Sequence, residues 1–106
     1  MNTINTLHIA VENKIATYHH REGSIVCGNK DYEIKFTFDE EWNDFSTKTA
    51  RFRWGDKTHD VTFTGNICSV PVINDATQVI VGVFVKDEIS STPVIIPCKR
   101  SILCSS

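Results

Sequence analysis

Residues 32–54 read YEIKFTFDEEWNDFSTKTARFRW, and the alternation in this stretch decides the fold class. In its first part Tyr32, Ile34, Phe36 and Phe38 fall on one side, with Glu33, Lys35 and Thr37 on the other. In its last part Ala50, Phe52 and Trp54 oppose Thr49, Arg51 and Arg53. A period of two is that of a β-strand with one face in a core and one in water. The segment between, Asp39 to Lys48, carries Trp42 and Phe45 and is too apolar for a solvated tight turn. It is read as a short helical turn or compact loop, with Asp39 as a candidate cap, closing one end of the core.

Working outward, Leu7, Ile9 and Val11 alternate with His8 and Ala10 and predict a strand. Glu12-Asn13-Lys14 is a turn, Ile15 to Tyr18 a short second strand, and His19 to Gly23 a polar loop. Ile25-Val26-Cys27 is a short apolar run ended by the turn Gly28 to Asp31. Beyond Trp54, Gly55-Asp56-Lys57 leads into a strand with Val61 and Phe63 on one side and Asp60, Thr62 and Thr64 on the other, a hairpin signal. Gly65-Asn66 is a second tight turn, and Pro71 ends the run that follows or confines it to a sheet edge. In QVIVGVFV, residues 78–85, both faces are apolar, which predicts the most buried, central strand. Asp87-Glu88 turns it, and Val94-Ile95-Ile96 forms a last strand before Pro97.

No stretch of a dozen residues has helical periodicity, and turn signals recur roughly every 8–12 residues. The expected architecture is all-β: an antiparallel, immunoglobulin-like β-sandwich of seven to nine short strands. Its core is read as Ile34, Phe36, Phe38, Trp42, Phe52, Val61, Phe63, Val81, Val83 and Phe84. The 106 residues are taken as a single domain, with 99–106 a C-terminal tail or the start of a linker.

With 23% charged and 41% hydrophobic residues the composition is that of a globular domain. A net charge of -2 offers no electrostatic case for nucleic acid or an anionic membrane surface. The start, MNTINTLHIAVENK, lacks the basic and apolar regions of a secretory signal, and no apolar run approaches the roughly 18 residues of a membrane span. Cys27, Cys68, Cys98 and Cys104 form no C-x-x-C pair. They are read as four reduced thiols acting as small apolar residues, with Cys98–Cys104 the first pair to suspect if a disulfide exists.

The residues that carry chemistry do not converge in the pattern. No G-x-S-x-G elbow presents a serine, and Cys27 has no basic residue beside it. The acidic residues Asp39, Glu40, Glu41 and Asp44 lack the spacing of a calcium loop and are read as a solvated turn around Trp42. His19 and His20 are adjacent, a poor chelate on a strand. No catalytic, metal or cofactor-binding residue is therefore assigned, and no cofactor is expected. Lys35, Arg51 and Arg53, on the polar faces of the two alternating strands, are a candidate partner surface. The competing reading is ordinary cross-strand pairing with Glu33 and Asp60. Ile102 and Leu103, apolar residues beyond the last strand, complete the candidate surface.

Over about residues 6–103 the chain resembles the N-terminal β-sandwich domain of tail and baseplate structural proteins in phages and prophages of Firmicutes. The residues that carry the resemblance are Phe38 to Trp42 (F-D-E-E-W), Lys48 to Phe52, Val61 to Pro71, which the resemblance implies is a hairpin, Val81 to Phe84, and Thr92 to Leu103. These are packing and turn motifs. The resemblance implies a non-catalytic structural or assembly module that docks onto other tail or baseplate proteins, in a virion assembled in the host cytoplasm. In such proteins a linker and a receptor-binding or assembly region follow, so this chain is read either as one domain of a larger protein or as a self-contained small one. The alternative is a free-standing phage-encoded protein that binds and inhibits a host defence protein. Either partner is a protein, and a homo-oligomer formed through the tail or an exposed sheet edge is also expected.

Overall fold

The computed structural model describes residues 4–102. Ten strands follow one another in this part of the chain: β1 (Asn5–Glu12), β2 (Ile15–Thr17), β3 (Ile25–Val26), β4 (Tyr32–Phe38), β5 (Thr47–Trp54), β6 (Lys57–Thr64), β7 (Ile67–Ser69), β8 (Gln78–Val85), β9 (Ile89–Ser90) and β10 (Val94–Lys99). The only helical pieces among the described residues are two 3-10 turns, His20–Glu22 and Glu40–Trp42. None is long and apolar enough to cross a membrane.

The strands form two sheets that enclose one core. The smaller has the order β2-β1-β4-β7. The larger has the order β3-β10-β8-β5-β6, with β9 paired onto β8. Leu7, Ile9, Val11, Ile34 and Phe36 come from the smaller sheet. Ala50, Phe52, Trp54, Phe63, Val79, Val81, Val83, Val94 and Ile96 come from the larger, and all are buried in the same cluster. The alternation of residues 32–54 is borne out through most of the stretch, since Ile34, Phe36, Ala50, Phe52 and Trp54 point in while Lys35, Thr37, Arg51 and Arg53 are exposed; Tyr32, Glu33, Phe38 and Thr49 are half-buried. The phase continues to Lys48, whose side chain is also buried. Its Nζ donates to the Phe45 carbonyl at 2.7 Å and lies 4.7 Å from the centre of the Phe38 ring. Burial lowers its pKa, because a desolvated ammonium is costly.

The connection Asp39–Ser46 carries the chain from the smaller sheet to the larger. Trp42, 1% exposed, plugs this end, with its ring 4.9 Å from that of Phe38. Phe38 in turn stacks on Phe36 at 5.4 Å. Asp39 stands at the N-cap position of the short turn without capping it. Its Oδ2 instead accepts the Asn13 N–H at 2.7 Å and ties the β1–β2 turn to the plug.

Three features differ from the expectation. Two of the eight pairings, β1 with β4 and β3 with β10, run parallel. Between β1 and β4 lies a long connection holding β2, a 3-10 turn and β3, enough chain to return to the starting end. Next, β6 and β7 are joined by Gly65-Asn66 but lie in different sheets, so this tight turn is a crossing and not a hairpin. Finally, Phe38, Val61 and Phe84 are only partly buried. Phe38 and Val61 pack on the margin of the core, while Phe84 lies on the outer face of β8. The strand count rises to ten because a two-residue strand, β9, follows the Asp87-Glu88 turn where no strand was expected, and β3 needs only two residues to pair with β10.

Candidate docking surface on the larger sheet

The site is the outer face of the larger sheet, and the strand registers give its layout. One row across the sheet runs Thr58, Arg53, Ile80, Ile95. The next runs Asp60, Arg51, Gly82, and a third runs Thr62, Thr49, Phe84, Ser90. The middle of this face is therefore apolar, and its β5–β6 side is charged and hydroxylated. No second layer lies over it among the described residues. Ile95 is 57% exposed, and Ile80 and Phe84 are half-buried. An open groove of about 680 Å³ follows β8, floored by Ile80, Gly82 and Phe84 and walled by Arg51, Arg53 and the β8–β9 turn. Gly82 deepens the floor. A Cβ there would meet only Ser91 Oγ at 3.8 Å and Pro93 Cα at 3.9 Å, ordinary contact distances.

The two arginines differ. Arg51 Nε and Nη2 donate to the Asp60 carboxylate at 2.8 and 3.0 Å, a bidentate pair between register partners. The guanidinium also lies 5.0 Å over the Phe84 ring, within cation–π range. The Arg51 hydrogen bonds hold the Asp60 pKa below its ordinary value. Arg53 has no acidic partner among the described residues. Its charge faces solvent beside Ile80, where a carboxylate from outside would find both an ion pair and an apolar neighbour.

Of the residues singled out from sequence, Arg51 and Arg53 are brought together here. Lys35 is not among them: it is exposed on β4, on the outer side of the smaller sheet, between His8 and Ile67. Ile102, the last described residue, is 89% exposed, and Leu103 lies outside the described residues. The cross-strand reading holds for Arg51, through Asp60, and for neither Arg53 nor Lys35. What pattern reasoning missed is Ile80, Phe84 and Ile95, because two apolar faces on β8 were taken as two buried faces.

Elsewhere a few ionisable groups form structural pairs. Glu41 pairs with Lys14 and Arg100 with Asp75. His8 Nδ1 meets Glu22 Oε1 at 2.7 Å, and the His8 side-chain hydrogen bond holds the Glu22 pKa down. His19 is exposed beside a 3-10 turn. Cys27, Cys68 and Cys98 are free and buried, and burial pushes the Cys68 and Cys98 thiols up to about 12. Cys104 lies outside the described residues. Among the described residues no three His, Cys, Asp or Glu side chains are grouped to hold a metal ion. No family model, curated protein or solved structure matches this chain.

Proposed function

We propose that this chain is a non-catalytic module that docks a protein partner on the outer face of its larger sheet, in the setting of a phage tail or baseplate. The observation that carries the docking surface is the open apolar floor of Ile80, Gly82 and Phe84 beside the unpaired Arg53. A sheet face with an apolar centre and a polar border has the composition of an interface patch. The partner surface it fits is apolar, with a carboxylate aimed at Arg53. The tail or baseplate setting rests on the sequence resemblance, whose motifs serve strands and turns. The scattered placement of ionisable side chains supports a role without catalysis.

The test is incorporation into particles. Ile80→Asp and Arg53→Glu alter exposed or half-buried outer-face residues and should leave the fold intact, as circular dichroism would verify. In particles purified from cells expressing the chain with its phage, mass spectrometry should find the unaltered protein and lose both variants. An unaltered protein absent from the particles and bound instead to a host protein would move the assignment to the free-standing inhibitor.

A further inference from the structure

The edges of the two sheets are unequal. β2 and β7 span three residues each, and β3 and β9 only two. The side of β1 left open by the short β2 is plugged, since Glu22 Oε1 accepts the His8 N–H at 3.0 Å. β10 carries Pro97, which has no N–H to offer. β6 is different. It runs for eight residues, Lys57–Thr64, without proline, and pairs with β5 alone. Long bare edges invite pairing, and proteins that stay monomeric shorten, charge or cover them. The other edges here are treated in that way. The one acidic side chain within the tract, Asp60, is matched by Arg51 and repels nothing.

The direction of the free backbone groups follows from the hairpin. Gly55, at φ 59, opens a two-residue loop closed by the pair Trp54 and Lys57. That closing pair is hydrogen-bonded, and hydrogen-bonded pairs alternate along an antiparallel ladder. Lys57, His59, Val61 and Phe63 thus bond to β5, and Thr58, Asp60, Thr62 and Thr64 point their N–H and C=O groups away from it.

From this edge we infer that the chain forms a two-fold dimer by antiparallel pairing of β6 with β6 of a second copy, centred on Val61. Centring there is the arrangement that uses all four outward residues, for about eight backbone hydrogen bonds. Asp60 then lies opposite Thr62 of the second copy, and Thr58 opposite Thr64. Centring on Asp60 would oppose two carboxylates. On the inner face the two half-buried Val61 side chains meet at the axis as a non-hydrogen-bonded pair, where cross-strand side chains come closest. A two-fold axis normal to the sheet keeps both outer faces on one side, so the dimer presents two copies of the β8 groove to a partner. Pairing does not depend on what occupies those grooves.

The experiment is sedimentation of the full chain from about 1 μM to about 1 mM, the range in which a small interface associates. The unaltered chain should pass from monomer to dimer. Thr62→Pro removes an N–H that β5 does not use, and Val61→Lys sets two ammonium groups face to face. Each should weaken the dimer about ten-fold or more. If the proline variant fails to fold, the lysine variant decides. Register is read separately: in a Cys104→Ser background, Val61→Cys should form a disulfide-linked dimer under mild oxidation and Thr58→Cys should not. A chain monomeric throughout, a dimer indifferent to both edge variants, or crosslinking of Thr58→Cys in place of Val61→Cys overturns the inference.

Discussion

The outer faces of the two sheets carry similar charges in different company. On the smaller sheet Lys35 sits between His8 and Ile67, and the neighbouring rows hold Glu33 with Ser69 and Ala10 with Thr37. On the larger sheet Arg51 and Arg53 border Gly82 and Ile80. The first is a solvated polar surface whose two exposed isoleucines, Ile15 on β2 and Ile67 on β7, stand apart on opposite edge strands, which any soluble protein tolerates. The second has a continuous apolar floor. What separates them is the neighbouring strand and not the strand that bears the cations: β4 lies beside β1 and β7, whose outward residues are mostly polar, and β5 lies beside β8, apolar on both sides.

If the two sheets differ outside and share one core inside, Phe36→Ala and Phe52→Ala should be equally severe. Each should cost about 3–5 kcal/mol in chemical denaturation, through lost transfer energy and a residual cavity. A mild Phe36 variant would mean that the smaller sheet is only loosely attached. The outer faces should respond far less. Arg51→Ala loses an exposed ion pair and packing on Phe84 and should lower the denaturation midpoint slightly, whereas Lys35→Ala should leave it unchanged. Equal costs would erase the contrast between the faces.

Acid titration sharpens it further. Glu22, on the smaller sheet's side, and Asp60, on the larger sheet, are held below their ordinary values of 4.5 and 3.8. A depressed carboxylate stabilises the fold above its unfolded pKa, and that contribution fades as pH falls through the folded value. Stability should therefore decline from about pH 4.5 downward. Glu22→Gln and Asp60→Asn should each flatten part of that decline. The smallest effect expected is none. Cys68 in the smaller sheet and Cys98 in the larger, both raised to about 12 by burial, should resist alkylation at neutral pH until the protein is denatured.

Particular residues show how far pattern reading reaches. The period of two at 32–54 placed Ile34, Phe36, Phe52 and Trp54 inside, because pleat geometry ties parity to side. Trp42 was legible as a plug, since so large an apolar group in a short connection must go inward. Pairing was legible at the Gly55-Asp56 hairpin, which joins β5 to β6, but long-range pairing was not. Parallel partners such as Ile25 and Cys98 are brought together by long-range closure that no local spacing encodes. For the docking surface, Arg51 and Arg53 stood out as cations on a strand. Ile80 and Phe84 did not, because alternation reports that both faces of a strand are apolar and not whether anything covers them.

The pairing of β3 with β10 has a consequence in time. Ile25 and Val26 find their strand partners only in Cys98 and Lys99, so the larger sheet cannot close until its last strand has been made. Until then β8, the most apolar strand, lacks β10 on one flank. Closure entropy of this kind slows folding, and refolding should relax in milliseconds to seconds and not in microseconds. On a ribosome the chain would wait for β10 with an apolar strand uncovered, and a stop before Val94 would leave a product prone to aggregate.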